Sequence, residues 1–480
     1  MKAPPMRNTR LTLTWMAAAL LAGCSMTPAY VRPEAPVAPQ WPMTTDAVQA
    51  GHAHTAANVL WQDFIDDARL RELVAMALQN NRDLRAALAN LEQARAQYQI
   101  RKADQLPTIQ AGVTGNRQPK TDGSGDISSA YSAGLSLASW EIDFFGRIAS
   151  LKDAALAQFL ATQEARNAVQ TSLVASVSST WLSLQTNNEL LALTQRTLVT
   201  REDSLRLVRL RFEQGVASAL DLRQAESLLA SARATLAQQQ RLRALDVNAL
   251  TQLVGQTLPD TLLELRSSTE ARSALREVPV GLPSDLLEHR PDIRQAEQQL
   301  VAAHANIGAA RAAFFPRIAL TASAGTASSA LSGLFQSGSW GWTLAPQAML
   351  PIFDSGRNQA NLEAAQASRD LALAQYEKAI QTAFREVADA LAGYATLGPQ
   401  LQAQQEQVQA EAERFRLADL RYRNGVASHL EVLDAQRTLF ASQQALTQTQ
   451  LAQRQNQIAL YKAVGGGWKA PPAAESALAQ

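Results

Sequence analysis

The chain has 480 residues, with 44 lysines and arginines against 43 aspartates and glutamates, for a net charge of +1. That balance argues against a nucleic-acid surface. Charged residues make up only 18% while Ala, Leu and Gln dominate, a composition that suits long helices packed closely together.

Lys2, Arg7 and Arg10 precede an apolar stretch over residues 11–20, the layout of a secretory signal that is too short to span a bilayer permanently. It ends in Leu21-Ala22-Gly23-Cys24, which resembles the lipobox of bacterial lipoproteins, cleaved before the cysteine. Cys24 is the only cysteine, so no disulfide framework exists; a chance cysteine at the end of a signal is the competing reading. The expectation is a mature chain that starts at Cys24 and carries an S-diacylglycerol and an N-palmitoyl group there. Ser25 stands where an aspartate would, by analogy, favour inner-membrane retention, so the outer membrane is the expected destination. Pro28, Pro33, Pro36 and Pro39 make residues 25–42 an extended tether. No later apolar run reaches 18 residues, so a membrane crossing would have to use strands.

The chain repeats itself at an offset of about 210 residues. Asp83-Leu84-Arg85 answers Asp292-Ile293-Arg294, Leu106-Pro107 answers Phe315-Pro316, and Gly146-Arg147 answers Gly356-Arg357. Likewise the string from Arg211 to Ser218 answers that from Arg421 to Ser428, and Val254-Gly255 answers Val464-Gly465. This implies duplication of a multi-element domain: signal 1–23, tether 24–60, first repeat 61–255, equatorial linker 256–288, second repeat 289–465 and tail 466–480. Each repeat reads as a short helix, two strands, a long helix, a tight turn and a return helix.

Strands show by alternation. Ile109, Ala111 and Val113 oppose Gln110, Gly112 and Thr114; Tyr131, Ala133, Leu135 and Leu137 oppose Ser132, Gly134 and Ser136. In the second repeat Ile318, Leu320 and Ala322 alternate with Ala319, Thr321 and Ser323, and Trp340, Trp342 and Leu344 with Gly341, Thr343 and Ala345. One apolar face with tryptophans near an end is the pattern of a transmembrane barrel; a soluble sandwich with one wetted face is the alternative. Four strands cannot close a barrel alone and open edges are not tolerated in lipid, so several chains must contribute.

Between Gly146 and Gly215, and again between Gly356 and Gly425, the reading is one continuous helix free of proline, about 100 Å long at 1.5 Å per residue. Val174, Val177, Trp181 and Leu184, with counterparts Phe384, Val387, Leu391 and Tyr394, form a heptad seam. Return helices start near Leu220 and Leu430, with Ser218 and Ser428 as N-caps and Gly215 and Gly425 as left-handed caps. They end near Gly255 and Gly465, and helices over 83–105 and 292–314 complete the remaining length.

Four strings now converge: Leu21-Ala22-Gly23-Cys24, the run from Gly281 through Glu288-His289-Arg290-Pro291-Asp292 to Ile293, Leu433-Asp434-Ala435-Gln436-Arg437, and Leu460-Tyr461-Lys462-Ala463-Val464-Gly465-Gly466-Gly467-Trp468. With the repeat, they closely resemble the NodT-type branch of the outer-membrane factors, relatives of TolC and OprM, over essentially the whole chain. The resemblance implies a mixed α and β fold: a homotrimer whose subunits each give four strands to a 12-stranded transmembrane β-barrel, continued by an α-helical coiled-coil tunnel. It also implies a periplasmic adaptor protein and an inner-membrane pump of the resistance-nodulation-division type as partners, with outer-membrane lipid around the barrel. Twelve helices spaced 8 to 10 Å apart would enclose a lumen of about 25 Å, so conduction of drugs or other small molecules is the expected function. An outlet for type I protein secretion and a non-conducting structural coiled-coil lipoprotein are the alternatives.

The resemblance places a closed constriction at Tyr422, Leu430, Glu431, Asp434 and Arg437. Leu430, Asp434 and Arg437 step by four and three and share one helix face. Three Leu430 side chains would occlude the lumen, three Asp434 carboxylates would attract cations, and Arg437 and Tyr422 would pair with carboxylates on adjacent helices. An ordinary surface pair of Asp434 with Arg437 is the competing reading. The turns Gly215-Val216-Ala217-Ser218 and Gly425-Val426-Ala427-Ser428 match the family's adaptor-docking tips. His52 and His54 lack further ligands for a metal site, His429 beside the constriction is a candidate for pH sensitivity, and no phosphate loop or nucleophile elbow suggests catalysis or a cofactor. Metabolic labelling with a fatty acid should mark the wild type and spare Cys24→Ser; equal labelling of the two would remove the anchor.

Overall fold

The computed structural model describes residues 26–42, 59–121, 125–263, 275–276 and 285–468. Cys24, His52, His54 and the end of the tail lie outside them. Among the described residues the expected order occurs twice. Helices α1 (Trp61–Phe64), α2 (Ala68–Asn80) and α3 (Arg82–Ala103) lead to β1 (Ile109–Pro119), β2 (Ile127–Ile142), α4 (Arg147–Glu213) and α5 (Ala219–Val254). After α6 (Asp260–Leu263) and α7 (Asp285–His289) come α8 (Pro291–Ala312), β3 (Arg317–Ser328), β4 (Trp340–Met349), α9 (Arg357–Arg423) and α10 (His429–Ala463). The described residues fall into two units, one within Met1–Glu34, Asn90–Gln163 and Gln295–Glu377, the other within Ala35–Ala89, Glu164–Arg294 and Lys378–Gln480. Each unit draws on both repeats.

The first unit holds one antiparallel sheet in the order β1-β2-β3-β4. Its register sets Ile109, Ala111 and Val113 opposite Leu137, Leu135 and Ala133. Leu137 and Leu135 in turn face Ala322 and Ala324, which face Leu344 and Trp342. The alternation read along each strand therefore adds up across strands to one apolar face. On the other face, small residues dominate, and the Thr114 and Ser132 hydroxyls meet at 2.6 Å. A row of glycines, Gly112, Gly134, Gly325 and Gly341, crosses all four strands in register. Its two central members leave no room for a side chain: a Cβ on Gly134 would lie 2.4 Å from the Ala324 carbonyl oxygen, and one on Gly325 2.3 Å from that of Ala133. Between Leu137 and Trp140 a bulge interrupts β2, with Ser139 at φ 49°. Beyond it Glu141 accepts two hydrogen bonds from Arg147, at 2.8 and 2.7 Å, and another from Arg317. That carboxylate pins the end of β2 to the starts of α4 and β3. All four strands outrun the alternating stretches read in the sequence.

The second unit is helical, and its largest core gathers Phe64, Leu70, Leu73, Val177, Leu182, Leu184, Leu250 and Val254. Asp67 caps α2 through the Arg69 and Leu70 amides and also receives Trp181 Nε1 at 3.0 Å. The seam residues Val174, Val177, Trp181 and Leu184 of α4 are all buried, as are Val387 and Leu391 of α9. Tyr394 is not: it is exposed, because α10 approaches α9 at Gly393, where a Cβ would meet Asn456 Oδ1 at 2.3 Å, and the next side chain turns outward. Nor is α9 free of proline. Pro399 lies inside it, which removes one backbone hydrogen bond at a cost of about 3 kcal/mol; the helix continues without a break from Arg357 to Arg423. Both return helices end on the same joint. Asn81 donates to the Leu253 carbonyl at 2.8 Å, and Arg290 to the Ala463 carbonyl at 2.8 Å.

Residues 26–42 contain no helix or strand, and they are held down rather than loose. In the first unit Arg32 forms a fork on Glu297, at 2.7 and 2.6 Å, Tyr30 donates to the same carboxylate, and Thr27 meets Ser150 at 2.9 Å. Gly308 makes room for Thr27: a Cβ there would lie 2.1 Å from its Oγ1. In the second unit Trp41 is buried and stacks on Phe384. Composition pointed to prolines and missed these polar and aromatic anchors.

Because the β3 backbone at Ala324 and Gly325 crowds it, Gly134→Val should lower the thermal midpoint of the sheet-bearing protein, with an overpacking cost of about 1 to 3 kcal/mol. A midpoint equal to wild type would mean that the strands part freely at the glycine row.

Candidate functional site at the helical tips

Two helical pairs, α4 with α5 and α9 with α10, turn at equivalent strings. Gly215 and Gly425 take φ of 73° and 72°, and a Cβ on either would meet nothing within 4 Å. Glycine is therefore required by backbone conformation and not by crowding. The Val216 and Val426 amides bond back to the Arg211 and Arg421 carbonyls at 2.8 and 2.9 Å. Both valine side chains are left exposed.

From there the copies diverge. Ser218 and Asp221 close a capping box: the Asp221 amide donates to Ser218 Oγ at 3.1 Å, and the Ser218 amide to Asp221 Oδ2 at 3.2 Å. Ser428 occupies the same N-cap place, but its hydroxyl makes no capping bond. Glu431, the counterpart of Asp221, instead lies 3.9 Å from Arg421.

Tyr422 and Arg437 do not take the expected partners. The Tyr422 hydroxyl accepts a hydrogen bond from Arg211 of α4, whose guanidinium also lies 4.8 Å from the ring centroid. The nearby Asp221 is occupied by its own cap, so a cation fills the place expected of a carboxylate. Arg437 reaches Asp434 of its own helix at 2.6 Å, the i,i+3 pair that helical geometry favours. The link between helices comes from Arg414 of α9, which contacts Asp434 at 2.5 Å and Glu411 at 3.1 Å. Its hydrogen bond is the main reason the Asp434 carboxyl is held below the usual range, with Arg437 adding to it. Leu417, Ala418 and Leu430 line a groove between α9 and α10 that Arg414, Arg421, Glu431 and Asp434 also border. The structure thus brings together Tyr422, Leu430, Glu431, Asp434 and Arg437 at the second tip. Sequence reading missed Arg211 and Arg414; Arg211 was detectable as the repeat counterpart of Arg421, whereas Arg414 lies on another helix with no spacing signal.

His429 sits against this cluster. Its ring is 4.7 Å from that of Tyr422, its Nε2 is 3.3 Å from Ser204 Oγ, and its buried Nδ1 has no hydrogen-bond partner. Burial pulls its pKa below the ordinary value and Arg211 reinforces this, while Asp221 and Asp419 oppose it. Among the described residues no cluster of three potential metal ligands occurs, and no helix is long and apolar enough to cross a membrane.

Residues 73–256 and 282–466 match the outer membrane efflux protein family, one match per repeat. The chain belongs to that family. The solvent efflux pump outer membrane protein SrpC of Pseudomonas putida is 48% identical to this efflux protein, covering 95% of this chain and 98% of its own. Outer membrane protein OprJ of Pseudomonas aeruginosa is 46% identical over 93% of this chain and 94% of its own. Among solved structures, the open state of the Neisseria gonorrhoeae MtrE outer membrane channel superposes with a TM-score of 0.84 at 38% identity, covering 93% and 99% of the two chains. A membrane protein from Pseudomonas aeruginosa gives 0.86 at 45% identity, covering 93% and 98%. The efflux protein is an outer-membrane channel component with two repeats, as the sequence motifs implied.

The sign of the His429 effect follows from its depressed pKa. The folded tip binds this proton less readily than the unfolded chain does, so stability is intact above the ordinary histidine value of about 6.5 and is lost as pH falls below it. Hydrogen exchange of the 421–431 amides, corrected for intrinsic rate, should rise between about pH 7.5 and about pH 5.5 in the wild type, and rise less in His429→Gln. Equal acid sensitivity in both proteins would place the titrating group elsewhere.

Proposed function

We propose that three copies of this chain form the passive outlet of a tripartite efflux pump of the resistance-nodulation-division type, without catalysis of its own. The observation that carries the reading is the sheet: one continuous apolar face, a small and polar opposite face, and strands β1 and β4 that each have a free edge. Three such sheets give twelve strands, and closure satisfies the edges that hydrocarbon would not tolerate. A lipid on Cys24 would tether each subunit to the outer membrane. The exposed Val216 and Val426 tips offer small, apolar ends to a periplasmic adaptor, and an inner-membrane pump would supply cargo upstream. Relatives named as efflux pump proteins favour this reading over protein secretion.

In this proposal the second tip is the constriction. Leu430 from each subunit narrows the lumen, Asp434 forms a charged ring beside it, and Arg414 holds that carboxylate while fastening α9 to α10. The Arg211–Tyr422 contact ties the two helical pairs of one subunit together. Arg437, bonded within its own helix, has the lesser part.

Asp434→Ala together with Arg414→Ala should raise single-channel conductance in a planar bilayer, with assembly unchanged. An ion pair this exposed contributes roughly 0.2 to 1 kcal/mol. Threefold symmetry applies the loss three times, enough to shift the open fraction several-fold. Arg437→Ala should have a smaller effect. Wild-type conductance in the double variant at low salt, where charge pairs are strongest, would relocate the constriction.

A further inference from the structure

All four strands meet helices at one end of the sheet. There β1 starts at Ile109 after α3, β2 leaves at Ile142 for α4, β3 starts at Arg317 after α8, and β4 leaves at Met349 for α9. Charge is shared unequally between this end and the other. Residues 101–108, 141–147, 311–317 and 350–357 hold six cations against four acids, whereas the far-end stretches 117–126 and 329–339 hold two of each. Every acid at the helix end is already engaged. Asp104 lies 3.3 Å from Arg101, and Glu141 is shared by Arg147 and Arg317. Asp143 accepts the Ala149 amide at 2.7 Å, and Asp354 accepts those of Gly356 and Asn358 at 3.0 and 2.9 Å. Lys102, Arg311 and Arg357 are exposed and make no ion pair among the described residues.

The two repeats place these cations alike. Lys102 and Arg311 each stand five residues before a proline, Pro107 and Pro316, and Arg147 and Arg357 each follow a glycine, Gly146 and Gly356. Only Arg147 meets a carboxylate of its own chain. In the second repeat Pro351 stands where Glu141 would, and Arg357 occupies the first turn of α9, where the helix dipole disfavours a cation until an anion arrives. Asn358 Nδ2 donates to the Ala313 carbonyl at 3.2 Å, which fastens the start of α9 to the end of α8 and puts Arg311 and Arg357 at one joint. Beside them the surface turns apolar. Phe314 is exposed, as are Leu350, Ile352 and Phe353 after the end of β4, the last two to 94% and 88%.

We propose that Arg311 and Arg357 of each subunit hold the phosphate of an anionic phospholipid from the leaflet on the helical side of the outer membrane, with Phe314, Ile352 and Phe353 against its acyl chains. This inference rests on the barrel reading above and names a lipid site on it. Guanidinium groups suit the partner, because their planar fork matches phosphate oxygens and a basic cluster at a membrane surface attracts negative headgroups. The apolar neighbours select a lipid over a free phosphate. Lys102, the counterpart of Arg311, gives the first repeat a weaker version of the site, since Glu141 already satisfies the arginine there.

Native mass spectrometry of the detergent-extracted protein, titrated with dioleoyl phosphatidylglycerol or with zwitterionic dioleoyl phosphatidylethanolamine, tests the site. The wild type should bind the anionic lipid several-fold more tightly, and raised salt should erase the difference. Arg311→Gln/Arg357→Gln should lose most of the preference, Lys102→Gln less of it, and Arg117→Gln at the far end none. The salt titration uses unaltered protein, so it decides even where the double variant fails to assemble. Equal uptake of the two lipids by the wild type, or an undiminished preference in an assembled double variant, overturns the site. Equal uptake is also the result expected if an acid of a neighbouring copy meets these cations. A wild type that stays soluble without detergent and takes up neither lipid overturns the barrel reading, and the site with it.

Discussion

Hydrocarbon offers no hydrogen bonds, so every N–H and C=O along a membrane-spanning edge strand must find a protein partner or cost several kcal/mol. One chain supplies four strands and therefore two unpaired edges. No rearrangement within the chain removes them, because four strands are too few to close around even their own side chains. In the trimer proposed above, copies meet edge to edge. This constraint explains why the apolar face reaches both edge strands, with Ile109 and Val113 exposed on β1 and Trp340, Trp342 and Leu344 exposed on β4. β1 is exposed along its whole length in the single chain.

Duplication supplied two strand pairs and two helical pairs, and divergence then assigned them different work. At the starts of the two return helices, one difference is a single methylene. Asp221 is short enough to bend back and cap its own helix start. Glu431, one carbon longer, leans toward Arg421 on the neighbouring helix. The first tip is thus closed by local bonds, whereas the second depends on contacts made sideways, through Arg211 to Tyr422 and Arg414 to Asp434. Sideways bonds break when helices shift against each other, and local caps survive. In the reading proposed above, the moving part is the second tip.

How much of this the sequence showed depended on the range of the interaction. Helix ends were legible because Gly215, Gly425, Gly255 and Gly465 mark left-handed backbone. Strand faces were legible because alternation is a property of adjacent residues. Strand lengths were not: Asn116 to Pro119 carry no apolar signal, yet the ladder with β2 continues to Pro119 because Ile127 and its neighbours are in register to receive it. The Arg414 link, the docking of Arg32 on Glu297 and the outward turn of Tyr394 all arise from residues far apart in the chain. Pro399 illustrates the opposite case, a strong local signal for a helix break that long flanking helices override.

The joint at the end of each return helix shows duplication carrying a single geometric need through two chemistries. A helix C-terminus leaves carbonyls without partners. In the first repeat the neutral Asn81 satisfies Leu253 while its Oδ1 accepts the Leu84 amide, so one amide side chain caps two helices. In the second repeat Arg290 does the corresponding work, donating to the Ala463 carbonyl, to Asp292 at 2.9 and 2.6 Å and to Glu386 at 2.8 Å. The close backbone approach is common to both: a Cβ on Gly255 would strike the Asn80 carbonyl oxygen at 2.5 Å, and one on Gly465 that of His289 at 2.8 Å. The consequences of loss are unequal. Removing Asn81 leaves unpaired neutral groups, worth about 1 to 3 kcal/mol. Removing the buried Arg290 leaves the Ala463 carbonyl unpaired and takes the shared cation from Asp292 and Glu386, whose carboxylates, 40% and 38% exposed, are partly compensated by water. The string from His289 to Asp292, which helped mark the family in the sequence, is therefore a clamp on α10, the helix that carries Leu430 and Asp434 at its other end.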